Sequence, residues 1–253
     1  MKIKSYKFKI MLTFISVFLS LSLHVSTQNE YLLSFSNSPH SLEFLPKPPS
    51  YQSVSFLRDQ ADYHKGYALK NTERWDIAKK DANLSSVQAL ANRFSTAFGY
   101  EISKEQTPYT YRIIAEILHD NGFIVNDAKQ HYMRVRPFVF FHQESCTPES
   151  EKFLRKNGSY PSGHTTVGWS TALALSQINP SRANEILRRG YEYGQSRVIC
   201  GAHWQSDVDA GRITRAALFA RLDSNHVFLS WIKKAQDKIK TKNKPTPTLA
   251  IID

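Results

Sequence analysis

From about Arg58 onward the chain repeats one pattern: apolar residues three or four apart, opened by a hydroxyl or proline, closed by glycine or proline, with almost no apolar-polar alternation. A period of 3.6 buries one face of a helix and a period of 2 one face of a strand, so the chain reads as all-α, a single-domain helical bundle. Ser85-Ser86 caps a segment reaching Phe98-Gly99, and Thr107-Pro108 puts Pro at a first helical position before Tyr111, Ile114, Ile117 and Leu118. Gly122 is predicted to stop that helix. A separate segment is predicted from Ile124 to Val135, ending at Arg136-Pro137 because the residue before Pro is pushed out of the helical region. Further helices are predicted over 163–175, 180–197, 203–222 and 227–239.

The N-terminus differs from the rest. Lys2, Lys4, Lys7 and Lys9 precede the apolar run Ile10 to Leu19, and small residues follow near Val25-Ser26-Thr27, the layout of a secretory signal peptide over 1–27. The run is too short and too serine-rich for a membrane span, and no later stretch is long enough, so no integral membrane domain is expected. Residues 28–57, with Leu45-Pro46-Lys47-Pro48-Pro49, read as an extended surface segment, 58–235 as the helical domain and 236–253 as a polar lysine-rich tail. Losing the signal lowers the formal charge from +11 to about +7, which attracts anions without naming one. No arginine-rich arm or aromatic-glycine signature supports nucleic-acid recognition. An even pair of cysteines in an exported chain favours one disulfide, Cys146 to Cys200, over two buried thiols.

Three segments carry chemistry. Lys129 and Arg136 are seven residues apart, about 700° around an ideal helix, which puts both on one face where they can converge on an anion. Pro161-Ser162-Gly163-His164 opens an apolar helix: its first N–H groups are an anion site, Ser162 adds a hydroxyl, Gly163 lets an oxyanion approach and His164 brings a titratable ring. In Arg197 to Asp207, His203 and Asp207 are an i, i+4 pair in which a carboxylate can fix the imidazole tautomer, and Arg197 offers a planar fork for phosphate oxygens. Each piece alone has a plainer structural explanation: solvated cations, a capped helix, a surface pair.

Their joint order, Lys129-x6-Arg136-Pro137, then Pro161-Ser162-Gly163-His164, then Ser196-Arg197-x5-His203-x3-Asp207, resembles the signature of the type 2 phosphatidic acid phosphatase and vanadium haloperoxidase superfamily. The Gly158-Ser159-Tyr160 lead and the signal peptide make the chain similar to bacterial class A non-specific acid phosphatases, and Ile199 to Asp207 is especially close to the secreted apyrase branch. The resemblance covers about residues 55 to 225. It implies that His203 attacks phosphorus, Asp207 orients it, and His164 protonates the leaving oxygen. It also implies that Lys129, Arg136, Ser162, Gly163 and Arg197 hold the phosphoryl group, with no cofactor and no metal. An imidazole acid near its usual pKa of about 6.5 suits acidic medium.

The expected partners are small phosphorylated substrates such as nucleotides, the compartment is the periplasm or the medium, and a homo-oligomer follows from the resemblance. Apyrase specificity and vanadium-dependent haloperoxidase chemistry remain alternatives, as does a non-catalytic anion-binding protein. None of the histidines, His131, His142 and His226 included, forms a His-x3-His pair with another, and Cys146 and Cys200 make no Cys-x2-Cys pair, so no zinc site is read here.

Overall fold

The computed structural model describes residues 32–33 and 38–242; the signal peptide predicted over 1–27 lies outside them. Eleven α-helices and a single 3-10 turn make up the regular structure there, with no strand among the described residues, as the periodicity requires. They are α1 Ser41–Phe44, α2 Val54–Tyr67, α3 Glu73–Asp81, α4 Val87–Phe98, α5 Pro108–Tyr132, α6 Pro137–Phe140, α7 Pro148–Leu154, α8 Gly163–Ile178, α9 Ala183–Ile199, α10 Gln205–Asp223 and α11 His226–Lys242.

Helix α8 is the axis of the bundle. It is buried on almost every side, enclosing Val167, Ala172, Ala174, Leu175 and Ile178 together with the small hydroxyl residues Thr165, Thr166, Ser170 and Thr171, whose side chains bond within the helix or its cap. It packs most extensively on α9, then on α10 and α5. The α8–α9 approach depends on two glycines. A Cβ at Gly168 would stand 2.2 Å from Tyr193 Cδ1, and one at Gly190 would stand 2.3 Å from the Ala172 Cβ. Around this pair Leu90, Phe94, Phe98, Ile113, Ile114, Ile117, Ile124, Leu218 and Phe228 close the main core.

Several boundaries differ from the sequence expectation. Ser86 caps α4 through its hydroxyl and Gly99 ends it in the left-handed region at φ 85°, as expected. Gly122, however, does not end α5, which runs unbroken for 25 residues. An interior glycine costs only about 1 kcal/mol, and the buried residues on either side, Ile117 and Ile124, outweigh it. The helix stops instead at Met133, in the left-handed region at φ 41°. Residues 28–57 are not simply an extended surface segment, because α1 forms within them, α2 starts at Val54, and Leu45 is buried with Tyr160 and Ala210. At the other end α11 continues to Lys242 with Ile239 buried, well into the stretch expected to be tail.

Candidate active site

The three motifs meet where the start of α8, the C-terminal end of α5 and the loop between α9 and α10 adjoin. Two backbone bonds join them: Ser162 N–H donates to the Asp207 carbonyl at 2.9 Å, and Ser159 N–H to the Arg134 carbonyl at 2.9 Å. The disulfide Cys146–Cys200 is formed, and Cys146 N–H donates to the Cys200 carbonyl, so the loop before α7 is fastened to the end of α9.

Lys129 and Arg136 do not share a helix face. Lys129 is in the last turn of α5, while Arg136 follows the Met133 break in extended conformation and caps α6. They converge nevertheless, because both donate to the Gly158 carbonyl, Lys129 Nζ at 2.9 Å and Arg136 Nη2 at 3.2 Å. Gly158 is required there: a Cβ would lie 2.3 Å from the Lys129 carbonyl oxygen. Arg136 is further fixed by the carbonyls of Leu154, Asn157 and Ala202.

Arg197, in the last turn of α9, is fully buried, and its Nε and Nη1 reach no protein acceptor. A buried guanidinium with idle N–H groups is the donor set a phosphoryl dianion would satisfy. Burial first, and the neighbouring Arg197 in the case of Arg136, lower both arginines to about 10, so they stay charged throughout the physiological range. Burial, then Arg136, pushes the Lys129 ammonium well below its ordinary range.

Ser162 caps α8. Its hydroxyl oxygen accepts from Thr165 N–H at 3.3 Å and from the Thr165 hydroxyl at 3.0 Å, leaving its own proton free to donate. The Gly163 and His164 amides are the next orphan donors of the helix start. A Cβ at Gly163 would press on the Asn121 side chain at 3.3 Å.

His203 precedes α10 rather than riding on it, since Trp204 is the N-cap and Asp207 the third helical residue. The Arg197 carbonyl accepts from both Ala202 and His203 N–H, and that turn points the imidazole at Arg136. Arg136 Nη1 lies 3.0 Å from His203 Nε2. A guanidinium can only donate, so Nε2 is the acceptor nitrogen and the proton sits on Nδ1. Nδ1 is 3.4 Å from Asp207 Oδ2, close but without hydrogen-bond alignment. The carboxylate is engaged elsewhere: Oδ2 accepts from Trp204 N–H at 2.9 Å and Oδ1 from Arg134 Nη1 at 2.6 Å. The i, i+4 spacing thus works through a loop and a helix start instead of a helix face.

Burial, then Arg136, Lys129 and Arg197, holds His203 well below the usual imidazole pKa, keeping it neutral. His164 donates from Nε2 to the Ala82 carbonyl at 3.0 Å, so Nδ1 carries the lone pair of the neutral ring. Contrary to the sequence expectation, it is not near its usual pKa, because burial, then Arg197, drives it well down. A bound anion would offset the part of that lowering that comes from Arg197, Arg136 and Lys129, and so favour the protonated ring.

Sequence reading missed Arg134 and Asp59. Arg134 Nη2 donates to Asp59 Oδ2 at 2.8 Å, and Asp59 accepts from both the amide and the hydroxyl of Ser206. Only the two-residue spacing from Arg136 in an extended stretch hinted at Arg134; Asp59 lies 148 positions before Asp207 and left no local sign. Tyr160 and Trp204, which flank the motif residues, are buried core, Tyr160 donating to the Pro46 carbonyl and Trp204 to that of Val135. Among the described residues no three His, Cys, Asp or Glu side chains are grouped to hold a metal.

Residues 110–228 match the PAP2 superfamily. Over 209 residues the chain is 49% identical to the non-specific acid phosphatase of Providencia stuartii, covering 82% of this chain and 84% of that protein. It is 47% identical over 207 residues to the non-specific acid phosphatase of Salmonella typhimurium, covering 81% and 82%. It is 36% identical over 203 residues to the acid phosphatase of Zymomonas mobilis, covering 79% and 76%.

Proposed function

Because the chain belongs to the PAP2 superfamily, as a bacterial class A acid phosphatase that hydrolyses phosphomonoesters, we propose that it does so through a phosphohistidine on His203. The observation that carries this reading is the acceptor state of His203 Nε2, a lone pair held neutral among three cations.

In the first step Nε2 attacks phosphorus as the ester P–O bond breaks, and the leaving oxygen takes the proton from His164 Nδ1. In the second step water attacks the phosphohistidine, its proton passes to His164, and Nε2 recovers its lone pair as phosphate departs. Lys129, Arg136 and Arg197, with the Ser162 hydroxyl and the Gly163 amide, hold the equatorial oxygens as charge spreads in the transition state. Asp207 stabilises the Nδ1–H side. The donors required for phosphoryl transfer come from these side chains, so no metal enters the scheme.

The depressed pKa of His164 requires either acidic medium or a bound dianion for protonation, which supports an acidic working range. Export to the periplasm or medium is supported by the Cys146–Cys200 disulfide and the lysine-led apolar N-terminus. No described helix is long and apolar enough to cross a membrane.

The test is rapid acid quenching against alkaline quenching with a ³²P-labelled aryl phosphate. Acid-labile, alkali-stable protein-bound label that vanishes in His203→Ala is the expected result; full turnover in His203→Ala, or complete loss of activity in EDTA, refutes the scheme.

A further inference from the structure

The last residue of α3, Asp81, is a fully buried carboxylate outside the phosphate-binding set. Burying a carboxylate is costly unless charge and hydrogen bonds compensate it, and α9 supplies both. The Arg189 guanidinium takes it with two nitrogens, Nη1 reaching Oδ2 at 3.1 Å and Nη2 reaching Oδ1, and the Ser196 hydroxyl donates to Oδ2 at 2.7 Å. Arg189 is itself fixed, its Nε donating to the Arg93 carbonyl of α4 at 2.9 Å. Arg74 of α3 completes the junction, Nη1 donating to Ser196 Oγ and Nη2 to the Glu192 carbonyl, each at 3.0 Å.

Two site residues stand next to this junction. Ser196 immediately precedes Arg197; burial lowers the Arg197 guanidinium, and Asp81 is a carboxylate whose charge opposes that lowering. On the other side Ala82 follows Asp81 as the C-cap of α3, and its carbonyl accepts from His164 Nε2 at 3.0 Å. A carbonyl at a helix C-terminus carries partial negative charge, which favours a protonated ring and works against the lowering that burial and Arg197 impose on His164. That carbonyl belongs to the residue after Asp81, so its direction follows from where Arg189 and Ser196 hold the Asp81 side chain.

We propose that Asp81 is the positioning residue of the general acid: by fastening the end of α3 to α9 it aims the Ala82 carbonyl at His164 Nε2, and so commits Nδ1 to the leaving oxygen. The proposal rests on the reading of His164 as the acid of the first step. Asp81 acts through the ring, so it matters in proportion to how much the leaving group needs a proton. A phenolate of ordinary basicity departs as the proton arrives, whereas 2,4-dinitrophenolate departs without one. Loss of the Asp81 charge near Arg197, or a general loosening of the fold, slows both esters alike, so the ratio between them isolates the ring.

The experiment reads the first step alone, as single-turnover release of the leaving group with enzyme in excess, for phenyl phosphate and 2,4-dinitrophenyl phosphate. In Asp81→Asn the rate with phenyl phosphate is expected to fall on the order of 10- to 100-fold further than the rate with 2,4-dinitrophenyl phosphate. Ser196→Ala keeps the Arg189 pair and loses one of the two fastenings, so the same preferential loss is expected at reduced size. It decides the matter if Asp81→Asn does not fold, which missing 2,4-dinitrophenyl phosphate turnover reveals. Equal losses for the two esters, or none, overturn the proposal. His164→Ala is run in parallel and is expected to show the largest preferential loss. Equal losses in His164→Ala overturn the acid assignment and the proposal with it; a preferential loss there beside equal losses in Asp81→Asn overturns the role of Asp81 alone.

Discussion

Arg134 Nη1 stands 2.6 Å from Asp207 Oδ1, and the same guanidinium reaches Asp59 Oδ2 at 2.8 Å, all three side chains buried. The carboxylate beside His203 is thus held from behind by a cationic partner. Arg134→Gln removes that charge and leaves two buried carboxylates without it, a loss of about 3–5 kcal/mol in urea unfolding. Arg134→Lys recovers part of the stability, but a point charge cannot span both carboxylates, so kcat remains depressed. A kcat unchanged in both variants would reduce Arg134 to a packing residue.

Asp207→Asn keeps the shape and removes the negative charge facing His203 Nδ1. Its effect is expected in kcat, a fall of roughly 10²–10⁴-fold, with KM for phenyl phosphate changed little. Stopped-flow phosphate release reads this directly, and a KM effect alone would contradict the orienting role.

Glu116, buried in α5, accepts a hydrogen bond from Leu32 N–H and is raised to about 7, chiefly by burial. Its folded pKa lies above its unfolded value of about 4.3, so the folded state binds the extra proton between them. Stability from this group is full below about pH 4.3 and is lost as pH rises through about 7. Glu116→Gln should flatten the fall in Tm over that window and melt above the wild type at pH 8. A wild-type Tm that does not fall there excludes the assignment. Burial acts oppositely on His164 and His203, which are lowered: their contribution is present above about pH 6.5 and is lost as pH falls below it.

Reducing the Cys146–Cys200 disulfide, or replacing both cysteines with Ala, should cost about 2–5 kcal/mol. The bridge fastens the loop before α7 to the end of α9, next to the turn that aims His203. Activity in dithiothreitol should therefore fall before far-UV circular dichroism changes. Simultaneous loss of both would assign the bridge to global stability alone.

Gly190→Val places methyls where Ala172 Cβ already lies 2.3 Å from the Cβ position. Overpacking the α8–α9 contact should destabilise by about 1–3 kcal/mol or more, seen as a lower urea midpoint, and Gly190→Ala should lie between. A neutral Gly190→Val would mean that the two helices can separate freely.

The helices and the meeting of the three motifs were legible because they obey local rules: caps at Ser86 and Ser162, a stop at Gly99, and motif residues at fixed spacing. Lys129 and Arg136 were paired for the wrong geometric reason, since Met133 breaks the helix between them and Gly158 reunites them. The misplaced stop at Gly122 shows tertiary burial overriding propensity. Asp59 and the Glu116–Leu32 bond join segments far apart in sequence, and no periodicity records a long-range contact.

In the proposed scheme the three buried cations hold three phosphoryl oxygens, and orthophosphate presents the same three oxygens as the ester it came from. Whatever tightness the cup gives the substrate it also gives the product. Such an enzyme is throttled by its own output, fast where phosphate is scarce and idle where it accumulates, with no separate regulatory site needed.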